Sequence, residues 1–188
     1  MTAFLRGLAA MVAALILGGT AMAADPENTL YLDTVYGRVV IAMKPDLAPN
    51  HVKQIKELTR RGFYDGVPFH RVIDGFMAQT GDPTGTGTGG SGKKLKAEFS
   101  HEKHLRGVVS MARSSDPDSA DSQFFIVFAP APSLDGKYTV WGEVESGMEF
   151  VDKIKKGEQV RNGTVTNPDK IVKMQVAADA AKSGHKAK

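Results

Sequence analysis

The chain has 188 residues, 41% hydrophobic and 24% charged, with a formal net charge of +3 and no cysteine. That balance fits one globular domain with a real core, and the missing cysteine excludes disulfides, thiolate metal sites, thiol nucleophiles and a lipidated N-terminal Cys. Setting aside Arg6 and the three lysines and one aspartate after Val176 leaves 20 Lys+Arg against 20 Asp+Glu, a neutral body without the basic stripe of a nucleic-acid binder.

Residues 1–23 read as a signal peptide. Arg6 precedes an apolar run from Leu8 to Leu17, and Ala21-Met22-Ala23 has the small-x-small pattern of a cleavage site. The run is shorter than the ~20 apolar residues of a membrane span. The expected mature chain begins at Ala24, is not inserted in the membrane, and works in the periplasm or outside the cell.

Residues 29–34 and 37–43 read as strands around a Tyr36-Gly37 turn. Residues 48–64 read as a helix, with Pro49 in its first turn and Val52, Ile55 and Leu58 on one face. Two short strands, 67–72 and 76–80, break at Asp74-Gly75. Strands rich in β-branched and aromatic residues follow at 107–112, 122–128 and 137–144. Ser146 and Glu149 have capping-box spacing, and Met148, Val151 and Ile154 predict a second helix over 147–156. A last strand spans 170–176. The small, basic stretch 177–188 is expected to be a disordered tail outside a domain at 24–176. Many short strands and two helices predict a mainly β fold, an antiparallel sheet closed into a barrel with helices over its ends.

Several motifs point to chemistry but lack its context. Gly85-x-Gly87-x-x-Gly90 matches a dinucleotide pattern, and Gly87 to Lys93 nearly matches a phosphate loop, but Lys94 stands where Ser or Thr must hold magnesium. Both need a helix directly after the glycines, and 94–104 shows no helical period. The stretch is read as a flexible surface loop. His101 and His104 are three apart, without the spacing of a zinc helix, and are expected to be solvated. His70 is given a structural hydrogen-bonding role. Asp116, Asp118 and Asp121 lack the Gly and terminal Glu of a calcium loop and read as turn formers.

The remaining pattern is Phe69-His70-Arg71-Val72-Ile73-x-Gly75-Phe76-Met77-x-Gln79-x-Gly81-Asp82. Gly87-Thr88-Gly89-Gly90, Ser110-Met111-Ala112, Ser122-Gln123-Phe124-Phe125-Ile126 and Leu134-Asp135-Gly136-Lys137 follow it in order. Together these blocks closely resemble the cyclophilin-type peptidyl-prolyl cis-trans isomerases, from about Leu30 to Val176. The resemblance implies an eight-stranded antiparallel closed β-barrel capped by two helices. It also implies an enzyme that speeds rotation about X–Pro bonds in proline-containing polypeptides without a cofactor or metal.

Carried over by position, Arg71 is similar to the family's catalytic arginine. Phe76, Met77, Phe125 and Leu134 resemble the walls of its proline pocket. Gln79 resembles the amide that bonds the substrate backbone, and Gln123, Ala112 and Arg113 resemble the flanks of the same groove. Three positions depart from common family members: Ser133 replaces a Trp of the drug-binding members, Tyr138 a His of many animal members, and Arg113 a common Asn. They imply weakened binding of cyclosporin and an altered preference before proline. The altered rim leaves a second reading, a peptide-binding chaperone on the same scaffold. No apolar stripe marks an obligate dimer, so a monomer is expected.

Overall fold

The structure, a computed structural model, describes residues 25–184. The expected leader at 1–23 and the last four residues of the tail lie outside them. Eight antiparallel strands form one sheet: β1 (Thr29–Thr34), β2 (Gly37–Met43), β3 (Arg71–Ile73), β4 (Met77–Thr80), β5 (Val108–Met111), β6 (Phe124–Val127), β7 (Val140–Ser146) and β8 (Lys173–Val176). Their order is β3-β4-β6-β5-β7-β2-β1-β8. The expected eight strands are present, but the barrel is not closed. The edge strands β3 and β8 form no ladder with each other, and the sheet is an open, curled one. Segments just before the two edges meet instead, through Gly66 N–H to Ile171 O (2.8 Å), Ile171 N–H to Val67 O (2.9 Å) and Phe69 N–H to Asp169 O (2.9 Å). Asp65 then caps the Met174 N–H of β8 at 2.9 Å, which blunts that edge.

The pleat sorts side chains to two faces, because alternate residues of a strand point opposite ways. In β6, Phe124 and Ile126 enter the main core with Trp141, Leu30, Leu32 and Ile41. Phe125 and Val127 join a second apolar cluster on the other face, with Met77, Val108 and Val140. All four β6 residues are therefore buried, which is why this strand is a continuous apolar run rather than an alternation. Phe124 meets Trp141 and Tyr64 edge-on, at 5.4 and 5.6 Å between ring centroids. The Tyr64 hydroxyl donates to Ser122 O at 3.0 Å, so the start of β6 is tied to the core from below.

Helix α1 (Pro49–Arg60) starts at its proline and buries Val52, Ile55 and Leu58, as their spacing predicts. It packs against β8. Helix α2 (Met148–Val151) differs from expectation. Ser146 is the last residue of β7, not a cap, and Gly147 precedes the helix with φ +86° and no side-chain capping bond. A Cβ at Gly147 would lie 2.4 Å from Arg38 O, so the chain can leave β7 here only through glycine. Val151 and Ile154 are still buried, on one α-helical turn and the turn that follows it. Beyond β8 the chain continues as α3 (Ala177–Gly184), where composition had suggested disorder.

Candidate active site

The site is a row across the outer face of the sheet. Arg71 of β3 stands opposite Gln79 of β4, Gln79 opposite Phe125 of β6, and Phe125 opposite Ser110 of β5. Directly opposed residues of an antiparallel pair point to the same face. The next row holds Ile73, Met77 and Val127. Sequence segments up to 54 residues apart are thus brought into one patch by register alone. A cavity of about 160 Å³ opens over the patch, lined by Arg71, Gln79, Met77 and Phe125 of these rows. Phe76, Ala112, Arg113, Leu134 and Tyr138 complete its wall. Gln123 is the one expected residue that does not line this cavity; it lies behind Gln79, in the wall of a neighbouring cavity.

Arg71 is held on three sides. Its Nη1 donates to Gln79 Oε1 at 3.1 Å, its Nε to Asn162 O at 3.0 Å and its Nη2 to Asn162 Oδ1 at 3.0 Å. Met77 Sδ lies 4.0 Å from Nη1. Among the described residues no carboxylate pairs with it. Burial lowers the guanidinium pKa from its ordinary value, partly opposed by Tyr138, but an arginine remains charged. Asn162 was missed by sequence reasoning. It ends the 3₁₀ turn Gln159–Arg161 in the left-handed region, φ 53°. The signal was present in the Asn162-Gly163 dipeptide, a turn marker, but nothing in the sequence links that turn to Arg71.

The amides continue the polar chain. Gln79 Nε2 donates to Gln123 Oε1 at 2.9 Å, and Gln123 Nε2 donates to the carbonyls of Gly87 (3.0 Å) and Gly89 (2.8 Å). The glycine-rich stretch is a groove wall tied down by two carboxylates, not a loose surface loop. Asp82 accepts from Thr84 N–H and Oγ1, Gly87 N–H and Gly89 N–H. Its burial pushes its pKa up, but these bonds outweigh that and hold it at about 2. Asp121 accepts from Ser91 N–H, the Ser91 hydroxyl and Gly92 N–H. A Cβ at Gly89 would lie 2.2 Å from Asp82 Oδ1, so the wrap around the carboxylate requires glycine there. Asp116 is a turn former as read, accepting from Asp118 N–H at 2.9 Å.

The apolar wall rests on a buried support. Tyr138 meets Phe125 edge-on, with centroids 5.8 Å apart, and Arg113 covers Tyr138 at 4.6 Å. Beneath Phe125 lies His104, stacked at 6.3 Å. The expectation of a solvated His104 fails: its side chain is fully buried, with Nδ1 3.1 Å from Asp135 Oδ1 and Nε2 3.0 Å from Ser110 Oγ. This Ser-His-Asp chain is not a hydrolytic triad, because Ser110 is 0% exposed and no substrate reaches its hydroxyl. His101 is exposed, as read. His70 is buried as a structural residue, but its ring nitrogens make no hydrogen bond. Burial lowers its pKa and favours the neutral ring.

A family model described as cyclophilin type peptidyl-prolyl cis-trans isomerase/CLD matches residues 29–176. A probable peptidyl-prolyl cis-trans isomerase of Brucella suis biovar 1 is 55% identical over 185 residues, covering 91% of this chain and 94% of that one. A peptidyl-prolyl cis-trans isomerase of Helicobacter pylori is 43% identical over 135 residues, covering 70% and 82%. Among solved structures, a cyclophilin from Hirschia baltica superposes with a TM-score of 0.74 at 30% identity, covering 83% of this chain and 76% of that one. A cyclophilin type peptidyl-prolyl cis-trans isomerase of Cryptosporidium parvum, crystallised in the presence of the dipeptide Ala-Pro, gives 0.72 at 29% identity, covering 79% and 98%. Over nearly all of its described length the chain belongs to the cyclophilin-type peptidyl-prolyl cis-trans isomerases, an enzyme family.

Proposed function

We propose that the cavity takes the ring of a substrate proline and that Arg71 drives rotation of the X–Pro bond by donating to the prolyl nitrogen. The barrier to rotation is ~18–20 kcal/mol because the planar amide is conjugated. Halfway round, the nitrogen lone pair is localised and accepts a hydrogen bond that the planar amide does not. A donor aimed at that nitrogen therefore favours the twisted state over both ground states, which is the condition for catalysis. An arginine stays charged at any working pH, and its planar fork is pre-organised.

The supporting observation is a half-buried guanidinium with no carboxylate partner among the described residues, fixed beside a cavity of about 160 Å³ that has Phe76, Met77, Phe125 and Leu134 in its wall. A carboxylate there would satisfy the charge that the twisted amide needs. Phe76, Met77, Phe125, Leu134 and Tyr138 hold the ring and exclude water, which strengthens the arginine's bond by lowering the local dielectric. Gln79 and the backbone at Ala112–Arg113 hold the chain on the other side of the bond, so that one end turns while the other is fixed. One such donor contributes ~2–4 kcal/mol by analogy with oxyanion-hole donors, and desolvation and positioning supply the rest. No step needs a metal or cofactor.

The substrate class is proline-containing polypeptides during folding. We also place this activity outside the cytoplasm, in the periplasm or beyond, on the strength of the leader-like residues 1–23. N-terminal sequencing of the exported protein should begin at Ala24. For the activity, the wild type should accelerate cis–trans exchange of an Ala-Pro peptide, and Arg71→Ala should lose the acceleration while keeping the wild-type circular dichroism spectrum. Full activity in Arg71→Ala would refute the arginine mechanism.

A further inference from the structure

We propose that Asn162 is a site of spontaneous deamidation, and that the reaction shuts the enzyme down because the carboxylate it creates pairs with Arg71. The proposal rests on the arginine mechanism above and names how that site is lost as the protein ages.

Of the four asparagines, Asn28, Asn50, Asn162 and Asn167, only Asn162 is followed by glycine. Deamidation begins when the backbone nitrogen of the next residue attacks the side-chain Cγ, and Gly163 has no Cβ to obstruct the approach. Asn167 precedes Pro168, which has no N–H to lose. Asn50 lies in α1, where Glu98 holds its side-chain amide at 2.7 Å and the His51 N–H at 3.1 Å. Asn162 is exposed, at φ 53°, and Glu158, Gln159, Val160 and Arg161 before it are exposed as well. The Gly163 N–H donates to Glu158 O at 2.9 Å, and that bond must open first. A surface turn of exposed residues opens at low cost. The leaving group, Asn162 Nδ2, makes no hydrogen bond among the described residues. Arg71 itself assists the reaction: its Nη2 donates to Oδ1, the oxygen on which negative charge gathers as Cγ becomes tetrahedral.

Hydroxide removes the Gly163 proton, the nitrogen bonds to Cγ, and the Cγ–Nδ2 bond breaks. Solvent returns a proton to the departing nitrogen, which leaves as ammonia. Water then opens the cyclic imide. Cleavage between the Gly163 nitrogen and Cγ gives aspartate; cleavage between that nitrogen and the main-chain carbonyl carbon of residue 162 gives isoaspartate. Water is the only co-reactant. In the first product a carboxylate oxygen takes the place of Oδ1, 3.0 Å from Nη2. It supplies the counter-charge that no described carboxylate now gives Arg71. In the second product the main chain lengthens by a methylene, which also displaces the carbonyl that holds Nε at 3.0 Å. Either way the arginine is neutralised or misaimed, while the core stays as it was.

The test incubates the folded full chain in mildly alkaline and in weakly acidic buffer and follows both samples over time. Peptide mapping by mass spectrometry reads amide loss at residue 162. The mass change separates it from isomerisation at Asp65-Gly66, Asp74-Gly75 and Asp135-Gly136, which leaves the mass unaltered. Exchange of an Ala-Pro peptide reads kcat. In the alkaline sample residue 162 should convert ahead of the other three asparagines, and kcat should fall in step with the converted fraction while circular dichroism stays constant. Freshly prepared Asn162→Asp should lower kcat about 10- to 10²-fold, further than Asn162→Gly, which removes the acceptor without adding charge. Asn162→Gly should keep its residual activity through the incubation. Conversion at residue 162 no faster than at Asn28 and Asn50, full kcat in the converted protein, or Asn162→Asp as active as Asn162→Gly would each overturn the proposal while leaving the isomerase reading in place. Full activity in fresh Arg71→Ala would overturn the arginine mechanism and the proposal with it.

Discussion

Arg71 and Gln79 face each other across β3 and β4, and the guanidinium spends one N–H on the amide oxygen at 3.1 Å. The amide in turn spends its own N–H on Gln123 at 2.9 Å, so its orientation is fixed by partners on both sides. A neutral acceptor here aims the arginine without cancelling its charge. Gln79→Glu keeps the shape and adds the cancelling charge. It should therefore lower kcat/KM by about tenfold or more, a cost of at least ~1.4 kcal/mol, with no loss of thermal stability. Steady-state exchange measurements on an Ala-Pro peptide check this.

Asn162 holds Arg71 from the opposite side, with its carbonyl on Nε and its side-chain oxygen on Nη2. Asn162→Gly preserves the left-handed backbone and the carbonyl bond, and removes only the side-chain acceptor. Loss of one hydrogen bond to a charged group is worth ~1.5 kcal/mol, so kcat should fall about tenfold with KM nearly unchanged. A merely structural Asn162 would shift the melting temperature and leave kcat alone.

Leu134 closes the 3₁₀ turn Pro132–Leu134 and reaches the pocket from its rim, half-buried against Phe125's cluster. Leu134→Ala deletes apolar contact with the substrate ring but little of the protein's own core. At ~0.8 kcal/mol per buried CH₂, the loss should appear as a roughly tenfold rise in KM, with melting changed by only a degree or two. Phe125→Ala differs, because Phe125 is nearly fully buried over His104. It should cost ~3 kcal/mol of stability as well as binding.

Asp82 ties the glycine-rich wall, and its pKa of about 2 lies below the ordinary value of 3.8. The folded state thus favours its ionised form. That contribution, about 2 kcal/mol, is fully present above the ordinary carboxylate pKa and is lost as pH falls from about 4 to about 2. Asp82→Asn should be less stable than wild type by that amount at pH 7, and the gap should narrow across that acid range. Denaturant melts at pH 7, 4 and 2 measure it. Activity should fall at pH 7 too, since Gln123 leans on the Gly87 and Gly89 carbonyls that Asp82 positions.

The strands were legible because β-branched and aromatic runs between glycine turns carry their own signal, and Val52, Ile55 and Leu58 gave α1 by spacing alone. The failures share a physical cause, long-range contact. Ser146 has the composition of a cap, but the approach of Arg38 O to Gly147 hands the turn to glycine. His104 sits among charged neighbours in sequence, and only the fold places it under Phe125 between Ser110 and Asp135. Closure of the barrel was expected from strand count, which does not reveal whether the two edges find each other. The pocket residues came from motif resemblance, and the register then brought them together. Asn162, 91 residues from Arg71, had no motif to announce it.

The central claim is that Arg71 acts on the twisted bond rather than on binding. Two-dimensional exchange NMR with an Ala-Pro peptide reports both the dissociation constant and the on-enzyme exchange rate for wild type and Arg71→Ala. The account predicts an exchange rate lowered about 10²- to 10³-fold, the ~2–4 kcal/mol of one charged donor, with affinity changed by only a few fold. An unchanged on-enzyme rate, with the whole effect in the dissociation constant, would contradict it.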